Sequence, residues 1–181
     1  MNYVKAMLYA YPHLSRIGEG YGDHIKNKAV LSHDGRVSTE RLMEYLAGEI
    51  LQKQKAEELK TILDKILSSL SDEEKLLLDA RYFGKIDGVR RIFAAVKAGL
   101  ADEKYRATPL WSERTYFRKQ NALLKKIALR LKAQGVGEKE FLNDFAAVDG
   151  VSHIYRYLEL GKDAAVSKKE KDFLSFLDRI R

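Results

Sequence analysis

The chain has 181 residues, 45% of them hydrophobic, which is enough to bury one sizeable core without disulfides or metals. It contains no cysteine, so disulfides, thiolate catalysis and Cys-ligated zinc are excluded, and that composition fits a reducing, cytoplasmic setting. The net charge is +7. Residues 81–132 carry 14 Lys and Arg against 4 Asp and Glu, a balance of +10 that leaves −3 for the rest of the chain. A basic segment on an otherwise slightly acidic protein is the electrostatic footprint of a surface that neutralises phosphates.

With only Pro12 and Pro109 to interrupt Leu, Lys, Glu, Ala and Arg, helices are favoured at nearly every stretch, and the expected class is all-α. A short first helix is expected over 3–11, apolar at Val4, Met7, Leu8 and Tyr11 and stopped by Pro12. A loop should follow, in which Gly18, Gly20 and Gly22 superficially suggest a phosphate cradle. No strand pattern precedes it and no Gly-Lys-Ser/Thr ending follows, so a nucleotide site is not expected there.

Ser38 can cap a long helix whose first half shows Leu42, Tyr45, Leu46 and Ile50 and whose second half shows Leu59, Ile62, Leu63, Ile66 and Leu67 at helical spacing. Between them, residues 52–58 are almost uniformly polar, which suggests a solvent bridge between packed ends or a pairing with another chain. Ser71 and Glu74 form a capping box that starts a helix with Leu76, Leu77, Leu78, Tyr82 and Phe83, ended by Gly84. A further helix is expected before Gly99, with Val89, Ile92, Phe93 and Val96 inside and Arg90, Arg91 and Lys97 outside. Residues 100–111 read as a long connection.

Ser112 caps the most basic helix, which Gly135 ends. Tyr116, Leu123, Ile127 and Leu131 form its apolar stripe, leaving Arg114, Arg118, Lys119, Lys125, Lys126 and Arg130 on the remaining circumference. Three shorter elements are expected over 138–147, 152–160 and 167–180, the last opening with a second capping box at Ser167 and Glu170.

The start of the basic helix has the side chains for groove reading. Arg114 and Arg118 can bridge two acceptors on guanine, Glu113 can accept from a cytosine amino group, and Phe117 lies beside them. Ser112 and Thr115 can donate to phosphate, and Lys119, Lys125 and Lys126 add sequence-independent attraction. The runs 70–75, 81–83 and 111–118 together resemble the helix-turn-helix of region 4 of bacterial sigma factors, most closely the sigma-like phage and mobile-element activators of the ArpU/RinA type. The resemblance covers about 70–131. It implies that Ser112, Glu113, Arg114, Thr115, Phe117 and Arg118 face DNA, and that RNA polymerase or a second copy of the chain is a further partner. The sequence departs from that pattern at 100–111, twelve residues where the usual turn has three or four.

Histidines 13, 24, 33 and 153 have neither metal-ligand spacing nor carboxylates clustered with them, and no catalytic constellation is present. The expectation is therefore a non-enzymatic protein without metal or cofactor and without a membrane span. The expected architecture is a multi-helix domain with a helix-turn-helix-like unit and a C-terminal helical appendage, divided as 1–69, 70–135 and 136–181. The expected function is sequence-selective duplex-DNA binding through a recognition helix at 112–126, with Arg90, Arg91 and Lys97 on the backbone. Single-strand or RNA binding, with Tyr105 stacking on bases, and a helical protein-interaction scaffold are the alternatives.

Overall fold

The computed structural model describes residues 1–31, 38–83, 112–148 and 150–160. Among these, six helices and no strand are found, so the chain is all-α. They are α1 (Asn2–Ala10), α2 (Leu14–Leu31), α3 (Thr39–Ser68), α4 (Asp72–Arg81), α5 (Glu113–Ala133) and α6 (Val151–Glu159). The expected helix before Gly99, the connection at 100–111 and the element at 167–180 lie outside the described residues.

The first helix ends at Ala10, as the sequence suggests for a chain meeting Pro12, but no loop follows Pro12. The proline occupies a single 3-10 turn, Tyr11–His13, that leads straight into α2. Proline is tolerated in a first helical turn, where its missing N–H has no partner to lose. The three glycines, expected in a loop, lie inside α2. Leu14, Ile17, Gly18 and Tyr21 are buried at positions i, i+3, i+4 and i+7, a helical face on which one member is simply a glycine. That face packs antiparallel on α3: a methyl added at Gly18 would meet the Glu57 side chain, one added at Gly22 would meet Lys53, and His24 lies 3.8 Å from Glu49. Tertiary packing here overrides the low intrinsic helix propensity of glycine.

Ser38 caps α3 as expected, its hydroxyl accepting from the Arg41 N–H at 3.4 Å. The polar middle of α3 is not a solvent bridge. Ala56 is fully buried, and Lys55 binds Asp144 at 3.0 Å while its ammonium lies over the Phe145 ring. These polar residues thus include a contact with the C-terminal segment. Leu59, Leu63, Ile66 and Leu67 are buried beyond it. In the first half of α3, by contrast, Tyr45 and Ile50 are exposed together with Met43 and Leu51, so α2 and this half form an arm with apolar groups on its outside.

The capping box at the start of α4 is complete. The Glu74 N–H donates to the Ser71 hydroxyl at 3.3 Å, and the Ser71 N–H donates to the Glu74 carboxylate at 3.1 Å. At the other end of α4, Tyr82 meets Tyr9 edge-on at 4.7 Å and Phe83 meets Tyr11 at 5.2 Å. After α5, the element expected over 138–147 is a single turn, Glu138–Glu140, running into a π-helical turn, Phe141–Phe145. That turn sends both phenylalanines inward: Phe141 packs between Tyr3 of α1 and Tyr155 of α6. Helix α6 lies along α1, with Asn2 donating to Glu159 at 2.8 Å. Buried residues from Tyr3 through Leu158 belong to one hydrophobic core, to which all three expected segments contribute.

Candidate nucleic-acid interface

Helix α5 starts where the sequence places it. The Ser112 hydroxyl accepts from the Thr115 N–H at 3.3 Å and lies 2.9 Å from the Thr115 hydroxyl, so each of these groups already has a partner in the cap. The far end is a Schellman closure. Gly135 has φ +81°, its N–H donates to the Lys132 carbonyl, and the Val136 N–H donates to that of Leu131. Leu131 and Val136 are both buried and complete the hydrophobic contact of that motif.

The apolar stripe is the expected one with two additions. Tyr116, Leu123, Ile127 and Leu131 are buried, as are Leu124 and Gln120. Burial pushes the Tyr116 phenol up to about 12, against a smaller opposing pull from the nearby Arg81 guanidinium. Tyr82 is also buried, so both tyrosines belong to the core and neither is available to stack on a base. Phe117 is 39% exposed and stands edge-on to Tyr116 at 5.3 Å.

The six cations of α5 that the sequence leaves on its circumference fall into two groups. Arg114, Arg118 and Lys125 point outward and are exposed. Two further exposed residues on the same face, Asn121 and Lys132, are not among the expected site residues, although a 3.6-residue wheel centred opposite Ile127 would have found them. From Arg114 to Lys132 this stripe extends about 27 Å at 1.5 Å per residue. It also carries Leu129, which is 70% exposed.

Lys119, Lys126 and Arg130 lie on the flank that faces the start of α4 and are held there. Lys119 is paired with Glu73, Lys126 with Glu74 at 2.6 Å, and Arg130 donates to the Ser69 hydroxyl. Lys119 and Lys126, expected to add sequence-independent attraction to phosphate, thus each face a carboxylate in the first turn of α4. Glu74 is shared between its cap and Lys126. Burial pushes its carboxyl up, but the hydrogen bonds from Lys126 and the Ser71 N–H outweigh that and hold it below its ordinary value.

The remaining expected site residues are divided as follows. Glu113 is the first residue of α5, and its side chain is outside the described residues, as are Arg90, Arg91 and Lys97 in full. Among the described residues no group of three His, Cys, Asp or Glu is placed to hold a metal ion, and no helix is long and apolar enough to cross a membrane. His13 is held below its ordinary value by burial and then by Arg16.

The described part of the chain is thus an all-α assembly presenting one basic helix face. No family model, curated protein or solved structure matches the chain.

Proposed function

We propose that this chain is a non-enzymatic regulator that binds duplex DNA in a sequence-selective way through the outward face of α5. The observation that carries the reading is the stripe itself. Arg114, Arg118, Lys125 and Lys132 are exposed on one face of a helix whose other cations turn toward α4. A helix of this width fits the major groove, where arginine can bridge guanine acceptors and asparagine can pair with adenine. Phe117 adds an apolar surface suited to a thymine methyl. The resemblance to sigma region 4 supports the same face and suggests RNA polymerase as a partner.

A second reading has its own observation. Val30, Met43, Ile50 and Leu51 are exposed on the arm formed by α2 and the first half of α3, and such apolar exposure suits a protein partner or a second copy. On that reading the stripe on α5 would meet an acidic protein surface.

Fluorescence anisotropy with random duplex DNA, single-stranded DNA and RNA at stepped salt separates these readings. The proposal expects duplex to bind tightest, with log K falling by about 0.9 per neutralised phosphate for each unit of log salt. Tighter binding of single strands would instead favour the RNA or single-strand alternative, and absence of binding to all three at low salt would favour the protein-interaction reading.

A further inference from the structure

The pairing of Lys119 with Glu73 has a consequence for any polyanion that docks on α5. Lys119 is one residue on from Arg118, about 100° around the helix, and so stands at the edge of the outward stripe. That is where the wall of a groove, with its phosphates, flanks an inserted helix. A lysine at this edge is suited to a phosphate contact, but a carboxylate already occupies it. Asp72, Glu73 and Glu74 all lie in the first turn of α4, so the same edge also carries negative charge.

The two carboxylate pairs are not equivalent. Glu74 is committed on both oxygens, one to the Ser71 N–H and one to Lys126, and its side chain is only 21% exposed. Glu73 takes no part in the capping box, and its side chain is 48% exposed, with that of Lys119 at 37%. Water and a phosphate oxygen can therefore reach the Lys119 pair. Releasing Glu73 does not open the cap that starts α4.

We infer that Glu73 is a built-in competitor for the phosphate contact of Lys119: it occupies that ammonium and so reduces by one the number of phosphates the face neutralises. The inference rests on the reading of α5 as a DNA-binding face. It assigns a carboxylate on α4, outside the basic segment, the role of limiting non-specific affinity. A protein that must discriminate one site among many gains from this, because every added phosphate contact strengthens binding to all sequences alike.

The test is a set of salt titrations on random duplex DNA with the full chain and four variants: Glu73→Gln, Lys119→Met, the two combined, and Asp72→Asn. Glu73→Gln is expected to tighten binding several-fold at low salt and to steepen the slope of log K against log salt by about 0.9, the release from one phosphate. Lys119→Met alone is expected to leave the slope unchanged, and in the Glu73→Gln background to abolish the gain. Asp72→Asn removes the same charge one residue away, from a fully exposed side chain whose ion pair is to Lys75 at 3.9 Å, and is expected to leave the slope unchanged. A thermal melt of each variant confirms that the fold is retained.

Equal gains from Asp72→Asn and Glu73→Gln would reduce the effect to net charge and overturn the inference. So would a gain that survives Lys119→Met. If the native chain binds duplex DNA and Glu73→Gln changes nothing, the inference fails while the DNA-binding reading stands. If neither the native chain nor Glu73→Gln binds duplex at low salt, that reading fails and takes the inference with it.

Discussion

Glu74 divides its two oxygens between local and long-range structure: one closes the capping box with Ser71 and the other holds Lys126 of α5. Asp64 is placed in a similar way, accepting from Lys60 and from the Tyr11 hydroxyl, at 2.8 and 2.7 Å. Burial pushes Asp64 up, and these hydrogen bonds outweigh it, so both carboxyls lie below their ordinary values of 3.8 and 4.5. A carboxyl lowered in the folded state binds fewer protons there than in the unfolded chain. Its stabilisation is therefore present above the ordinary value and is lost as pH falls through the folded one. Urea midpoints measured between pH 8 and 2 should accordingly fall in two stages, first below about pH 6.5, where the unfolded chain protonates His13 before the folded one does, and again below about pH 4. Glu74→Gln should lower the plateau and flatten part of that acid limb. Ser71→Ala, which removes the cap acceptor, should cost about 0.5–2 kcal/mol at neutral pH.

At the scale of elements, the two kinds of glycine in this chain make opposite predictions. Gly20 lies inside α2, and a methyl added there meets nothing within 4 Å. Gly20→Ala should therefore stabilise the fold by about 0.5–1 kcal/mol, since alanine loses less backbone freedom in a helix. Gly135 sits at φ +81° in the closure of α5, and Gly135→Ala should destabilise it by about 1–2 kcal/mol. Thermal melts of the two variants, shifting in opposite directions, check both.

The same contrast explains which elements were legible in the sequence. Helices α4 and α5 announce themselves because Ser71, Glu74, Ser112 and Gly135 act within a few residues of their own positions, and α5 also has an apolar face with helical period. Helix α2 does not, because a glycine replaces one member of its buried face and only its contact with α3 makes the pattern intelligible. The contact of Lys55 with Asp144 was hidden for the same reason: its partner is 89 residues away. In the candidate site, Arg114, Arg118 and Lys125 could be read from the helical wheel. The ion pairing of Lys119 and Lys126 could not, because it depends on how α4 is laid beside α5.

At the scale of the whole molecule, α1 and the segment from Phe141 to α6 close the core from its two sequence ends. Phe141 is fully buried between Tyr3 and Tyr155, and Phe141→Ala should cost about 3–5 kcal/mol, measured by urea unfolding. Because Ile127 and Leu131 of α5 belong to the same core, such a loss should also blur the basic face, which needs a rigid support to present its side chains in register. The core thus keeps one face of α5 inward and leaves Arg114, Arg118, Lys125 and Lys132 outward. The most direct measurement of what that face does is duplex affinity at low salt for the native chain, for Arg114→Glu/Arg118→Glu, and for the charge-matched Lys139→Glu/Arg156→Glu at two exposed positions elsewhere. The account predicts that the α5 variant loses about tenfold or more in affinity and most of its salt dependence, while the control remains close to native. Equal losses in both variants, or native binding by the α5 variant, would contradict the assignment of this face to DNA.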